Sequence, residues 1–320
     1  MIYKYNLNPR IALRGTFSYL PIEADDANVA LGRFPKWLHR KLPRGGNLFK
    51  TNEVVAKYGL STVCEEAKCP NRLECYSKKT ATFLALGSAC TRACGFCDID
   101  FAKEPKAPEE DEPKRIALSA KDLGLKHVVI TMVARDDLED QGASHIARII
   151  QEIRKESPSS TIEVLTSDFS GNLKALDTVL QENPEVFNHN IETVRSLTSK
   201  VRHKATYERT LSVLDYAKKQ NKSLFIKSGI MVGLGEEKQE VFDTIKDLKD
   251  IGCDIITIGH YLQASRLKLR VKRFVTPEEF KAYEAYGLKI GVANMYCGPF
   301  VRSSYNADLL TNMALRKQRD

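Results

Sequence analysis

From residue 80 onward, short apolar runs alternate six times with longer segments whose apolar residues recur at helical spacing. The runs are 81–87, 127–133, 161–166, 185–190, 223–231 and 254–260; the helical segments are 114–124, 142–156, 171–182, 206–220, 236–250 and 277–290. Val241, Ile245, Leu248 and Ile251 mark one apolar face, and Thr276-Pro277-Glu278-Glu279 has the N-cap, early proline and acidic first turn of a helix start. Such repetition predicts an α/β fold with a parallel sheet and right-handed crossovers. Six units are too few for a closed eight-stranded barrel. On pattern alone, a partial (β/α)6 TIM-like barrel and a doubly wound sheet both fit. Pro9, Pro21, Pro35, Pro43 and Gly45-Gly46 interrupt the first fifty residues, which also hold a basic stretch from Lys36 to Arg44. The expected organisation is an irregular N-terminal extension (1–79), the partial barrel (80–291) and an irregular C-terminal segment (292–320). The acidic stretch 109–112 reads as an exposed loop.

Cysteine placement is the second constraint. Eight cysteines in 320 residues fall far below the roughly 8–10% of a disulfide-built scaffold. Yet Cys64, Cys69, Cys75, Cys90, Cys94 and Cys97 lie close together, and only Cys253 and Cys297 lie apart. No apolar run approaches the roughly 18–20 residues that span a bilayer, and the N-terminus lacks a signal-type apolar block. The expectation is a cytoplasmic protein with reduced thiols, so the clustered cysteines read as ligands or catalysts. Cys253 and Cys297 read as buried free thiols. The net charge of +8 permits nucleic-acid binding, but no stacking motif supports it; neither nucleic acid nor membrane is an expected partner.

Cys90, Cys94 and Cys97 are spaced as Cys-x3-Cys-x2-Cys directly after the first apolar run. In a barrel-like fold that position is the carboxyl-end face, where active sites form. Three thiolates are one short of a closed [4Fe–4S] set and leave one iron open. A zinc site borrowing His127 or His145 is the competing reading, although neither has finger-like spacing. The motif, including Phe96, resembles that of the radical S-adenosylmethionine (SAM) superfamily, whose open iron chelates SAM. Cys64, Cys69 and Cys75 form a second three-thiol set, spaced x4 and x5.

Together these segments resemble the lipoyl synthase family over residues 30–310. The resemblance runs through GLSTVCEEAKCPNRLEC, TATFLALGSACTRACGFCDID, RDDL (135–138), NHNIETV (188–194), KSGIMVGLGE (227–236), TIGHYLQ (257–263) and GPFVRSSY (298–305). It implies two [4Fe–4S] clusters: one at Cys90, Cys94 and Cys97, and an auxiliary one at Cys64, Cys69 and Cys75. A serine of Arg302-Ser303-Ser304-Tyr305 completes the second, Ser304 rather than Ser303. An alkoxide is a harder ligand than thiolate and suits a cluster that must give up sulfur. The implied reaction inserts two sulfur atoms at C6 and C8 of a protein-bound N6-octanoyl-lysine. Two SAM are consumed per lipoyl group, and the auxiliary cluster is the sulfur donor. The implied partners are octanoylated carriers (2-oxoacid dehydrogenase E2 domains and the glycine cleavage H protein) and a reduced ferredoxin or flavodoxin.

For SAM, the strand ends offer Thr131, Arg135 and Asp136, then Asn190 and Glu192. Asp137 reads equally as a helix cap. Lys227 lies inside an apolar run and calls for a ligand or a carboxylate partner. Gly233-Leu234-Gly235 reads as a close approach to adenosine or as a plain turn. SRLKLRVKRF (265–274) carries five basic residues and no acid, which suits either a solvated edge or docking of an acidic carrier. Compared with the family pattern, Glu139-Asp140-Gln141-Gly142, His260, Ala264, Asn306 and residues 195–203 depart from the usual residues, while every cluster ligand is kept. Another dual-cluster SAM enzyme and a non-catalytic iron–sulfur or zinc protein are the competing readings.

Overall fold

The computed structural model describes residues 34–39 and 47–308. Parts of the expected terminal segments (1–33, 40–46 and 309–320), including Arg44, lie outside the described residues. The strands in chain order are β1 (Ser61–Thr62), β2 (Thr82–Ala85), β3 (Ala89–Cys90), β4 (Asp100–Phe101), β5 (His127–Met132), β6 (Thr161–Leu165), β7 (Val186–Asn188), β8 (Phe225–Val232), β9 (Ile255–His260) and β10 (Asn294–Gly298). Each of the six apolar runs holds one strand of the main sheet.

The sheet runs β1-β2-β5-β6-β7-β8-β9-β10, with β3 and β4 as a separate pair. All main-sheet neighbours are parallel except β1, which is antiparallel to β2. Strand order follows chain order without reversal, whereas a doubly wound sheet reverses at a switch point. This decides between the two folds left open by the pattern, in favour of the partial barrel.

The residues explain the winding. Phe83, Ile130, Val164, Phe187, Ile226 and Ile256 pack into one apolar core with Ile146, Ile150, Val213, Val241 and Ile245 of the crossover helices. Strand side chains alternate, so the opposite face presents Glu163, Asn188 and Lys227, with Leu165, Asn190 and Gly229 two residues further on. One face is apolar and helix-covered; the other is polar and lines the barrel interior.

The helices are Glu112–Leu123, Ala143–Glu156, Leu173–Leu180, Tyr207–Gln220, Lys238–Asp250 and Pro277–Lys289. Thr276 and Glu279 form the reciprocal capping box that their spacing suggests.

The ends are more regular than expected. Asn47–Lys57 is helical, and β10 adds a parallel strand beside β9. Its Asn-Met-Tyr-Cys-Gly composition hides it from an apolar-run criterion. The acidic stretch is an exposed loop at 109–111 as expected, but Glu112 opens a helix and is buried. Its carboxylate accepts the Leu86 N–H at 2.9 Å and meets His145 Nε2 at 2.6 Å.

Candidate active site

A cavity of about 690 Å3 opens at the carboxyl ends of the strands. All six clustered cysteines line it, together with Ser303 and Ser304, although the two ends of this set are far apart in sequence. Cys90 ends β3, and Cys94 and Cys97 follow in the loop before β4. Cys64 lies in the helix Val63–Glu66, Cys75 in the helix Arg72–Ser77, and Cys69 between them.

The loop 90–97 rests on charge. Arg92 is buried; its Nε and Nη2 donate to Asp136 and its Nη1 meets Asp168 Oδ1 at 2.7 Å. Arg209 reaches Asp168 at 3.1 Å, and Lys204 reaches Asp136 at 3.5 Å. Burial alone would raise the Asp136 carboxyl, but the hydrogen bond and charge of Arg92 outweigh it and hold the group at about 2. Backbone bonds finish the loop: Gly95 N–H to Val201 O at 2.9 Å, and His203 N–H to Cys94 Sγ at 3.4 Å.

The set 64–75 is held to the C-terminal segment. Asn71 Nδ2 donates to the Phe300 carbonyl at 2.7 Å, and Tyr305 Oη donates to Glu74 Oε1 at 2.8 Å. Gly259 makes this possible: a Cβ there would stand 1.9 Å from the Val301 carbonyl oxygen. Only a bare backbone lets residues 299–305 cross the end of β9 and bring Ser303 and Ser304 to the cavity.

The donor set fits iron–sulfur clusters. The described cysteines are all free thiols. Burial pushes Cys64 up to about 12, Cys75 to about 11 and Cys97 to about 12, and raises Cys94 as well. Such thiols stay protonated until a cation takes the place of the proton. His127 meets Thr161 and His145 meets Glu112, and neither lines the cavity, so neither histidine completes a zinc site with these cysteines. Cys253 and Cys297 are not among the cavity-lining residues.

The SAM candidates divide. Thr131, Asn190 and Glu192 line the cavity; Arg135, Asp136 and Lys227 do not. Asn190 Oδ1 is buried without a hydrogen-bond partner, and its Nδ2 donates to Ser303 Oγ at 3.3 Å. A Cβ on Gly229 would fall 2.8 Å from Asn190 Oδ1, so glycine keeps this amide in place. Burial raises the Glu192 carboxyl against the opposing charge of Arg202. Arg135 and Asp137 bind each other, with Arg135 Nη1 donating to Leu86 O. The helix-cap contacts go to Asp140, which accepts the N–H groups of Gly142 and Ser144.

For Lys227, the structure selects the carboxylate-partner reading. Its Nζ stands 2.8 Å and 2.9 Å from the Glu163 oxygens, with both side chains fully buried. Asn188 Nδ2 also donates to Glu163 at 2.8 Å. This pair forms a layer of the barrel beneath the cavity. Gly233-Leu234-Gly235 is a turn in which the Glu236 carboxylate accepts the N–H groups of Gly233 and Leu234. Sequence reasoning missed Arg92 and Arg202. Arg92 sits inside the cysteine motif, which was the available signal; Arg202 lies in a stretch that departs from the family pattern.

The Radical SAM superfamily profile matches residues 84–262. A lipoyl synthase of Protochlamydia amoebophila is 62% identical over 300 residues, covering 93% of each chain. The chain belongs to the lipoyl synthase family. A Chlamydia felis lipoyl synthase is 55% identical over 288 residues, covering 90% of this chain and 92% of the relative. The fold is similar to that of HydG, a maturase of the [FeFe]-hydrogenase, with TM-score 0.56 and 14% identity over 72% of this chain and 53% of that one. Streptococcus suis SuiB bound to S-adenosylmethionine gives TM-score 0.55 and 11% identity over 67% and 49%. Membership in this family carries a [4Fe–4S] cluster and SAM. Among the described residues, no helix is long and apolar enough to cross a membrane.

Proposed function

We propose that this chain inserts two sulfur atoms at C6 and C8 of an N6-octanoyl-lysine on a carrier protein, giving N6-lipoyl-lysine. Cys90, Cys94 and Cys97 hold a cluster that binds SAM; Cys64, Cys69, Cys75 and Ser304 hold a second one, and two SAM are consumed. When bound, these groups supply a 5′-deoxyadenosyl radical that removes hydrogen and the sulfur that replaces it.

The protein's own part is placement and shielding. Thr131, Asn190 and Glu192 offer hydroxyl, amide and carboxylate partners for the ribose and ammonium of SAM, and Arg202 a cation for its carboxylate. Arg92, through Asp136 and Asp168, fixes the loop that presents Cys90 and Cys94. Leu84, Leu165 and Met231 give the cavity apolar wall for an alkyl chain. The observation that most supports this reading is the convergence of both cysteine sets and Ser304 on one cavity.

The test is mass analysis of an octanoylated carrier peptide after anaerobic incubation of the reconstituted enzyme with SAM and a reductant. The expected product has gained two sulfur atoms and lost two hydrogens. Hydroxylated or unchanged peptide would reject the proposal.

A further inference from the structure

The segment after β9 begins in the cavity wall and ends on the surface. Tyr261, Leu262, Gln263 and Ala264 line the cavity, whereas Arg266, Leu267, Arg270 and Lys272 are exposed, Leu267 at 93%. The segment is firmly tied. Leu269 N–H donates to Gly95 O at 2.9 Å, Tyr261 Oη to Leu269 O at 2.7 Å, and Gln263 Nε2 to Lys268 O at 2.9 Å. Ser265 Oγ donates to Asp98 Oδ1 at 2.8 Å, and Lys68 meets Asp98 Oδ2 at 2.6 Å. Asp98 follows Cys97 and Lys68 precedes Cys69, so this tie joins the rim to both cysteine segments.

The rim is thus a fixed positive surface with one protruding leucine. Among the described residues, Arg266, Lys268, Arg270 and Lys272 form no salt bridge. Ser265, Lys268 and Leu269 anchor this segment through Asp98, Gln263 and Gly95, so its four cations stand at fixed places beside the cavity rather than along a loose solvated edge. The apolar residue at the tip is aliphatic, not a stacking aromatic, which favours a protein over a nucleic acid.

We infer that residues 266–272 are the docking surface for an acidic folded domain that carries the acylated lysine. This rests on the proposed function, since a lysine-tethered chain entering the cavity must bring its own protein surface against the rim. The positive charges raise encounter and fix orientation, and Leu267 packs against an apolar spot near the modified lysine.

The test compares wild-type holoenzyme with Arg270→Glu/Lys272→Glu on two substrates: an octanoylated carrier domain of net negative charge and an uncharged octanoyl-lysine peptide. The expected result is a KM for the domain raised about tenfold at low salt, with kcat and all peptide kinetics unchanged. Fluorescence anisotropy of labelled domain should show the same loss of affinity, and Leu267→Ser a loss of about threefold. Unchanged KM and affinity for the domain, while the peptide is still converted, would overturn the docking surface alone. Equal affinity for an RNA oligonucleotide in the wild type would overturn it too. If wild type converts neither substrate, the proposed function fails first.

Discussion

The two cysteine sets share a cavity but are fixed by different interactions. The loop 90–97 lies on a buried charge network in which Arg92 bridges Asp136 and Asp168. The set 64–75 is tied by Asn71 and Glu74 to groups 229 and 231 residues further along the chain. Ion pairs inside the barrel hold their geometry as long as the barrel is folded. Hydrogen bonds to a terminal segment hold theirs only while that segment stays docked. The contrast matches the proposed division of labour, in which one cluster is reused and the other gives up its sulfur and must be rebuilt.

The largest expected effect separates the two sets outright. Cys94→Ala removes one of the three thiols of the first set, and 5′-deoxyadenosine production should fall below detection while the second set still binds iron. Iron analysis with Mössbauer spectroscopy would check both halves.

Arg92→Met strikes the charge network. It leaves Asp168, with a fully buried side chain, without its nearest cation, and Asp136 short of one. Breaking a buried pair costs about 3–5 kcal/mol, read as a lowered urea midpoint. Charge-reduced Arg92→Met/Asp136→Asn should recover part of that loss.

On the other side, Asn71→Ala loses one hydrogen bond from a buried amide to the Phe300 carbonyl. The expected cost is about 1–2 kcal/mol. Its more telling effect is on iron retained by the second set after turnover, which should fall while SAM cleavage persists. A drop in SAM cleavage instead would mean that the two sets are not mechanically separate.

The smallest effect per residue is a pH dependence confined to the barrel. Burial lowers His189 to about 4 and His260 to about 4. Both are neutral in the folded protein at a pH where the unfolded chain has begun to protonate near 6.5. Stability should therefore be full above pH 6.5 and fall as pH drops toward 4, by about 1 kcal/mol per histidine between pH 7.5 and 5.5. His260→Gln should flatten the dependence of the thermal midpoint over that range. Asp136, with its carboxyl held down to about 2, contributes stability that is fully present above 3.8 and is lost only as pH falls below that, so it does not affect this window.

Much of this architecture was legible in the sequence because it follows local rules. Apolar runs become strands, and Thr276 through Glu279 start a helix as their types dictate. The cysteine spacing marked a loop that lines the cavity, and the family resemblance pointed to a serine motif that reaches the same cavity. What stayed hidden depends on tertiary partners. Arg135 and Asp136 looked equally available in RDDL, yet Arg135 is taken by Asp137 and Asp136 by Arg92. Lys227 needed a partner, but only the register of β6 through β8 places Glu163 and Asn188 beside it. β10 has no apolar run of its own, and its pairing with β9 supplies what the composition lacks. Gly259 carries no sequence signal of its own, and only the C-terminal segment crossing it accounts for the glycine.

The most direct measurement for the separation of roles is single-turnover product analysis of Cys69→Ala, quantifying 5′-deoxyadenosine against sulfur incorporated into the octanoyl-lysine peptide. The expected result is abundant 5′-deoxyadenosine with no carbon–sulfur bond formed. Sulfur insertion at the wild-type level would contradict the assignment of residues 64–75 as the source.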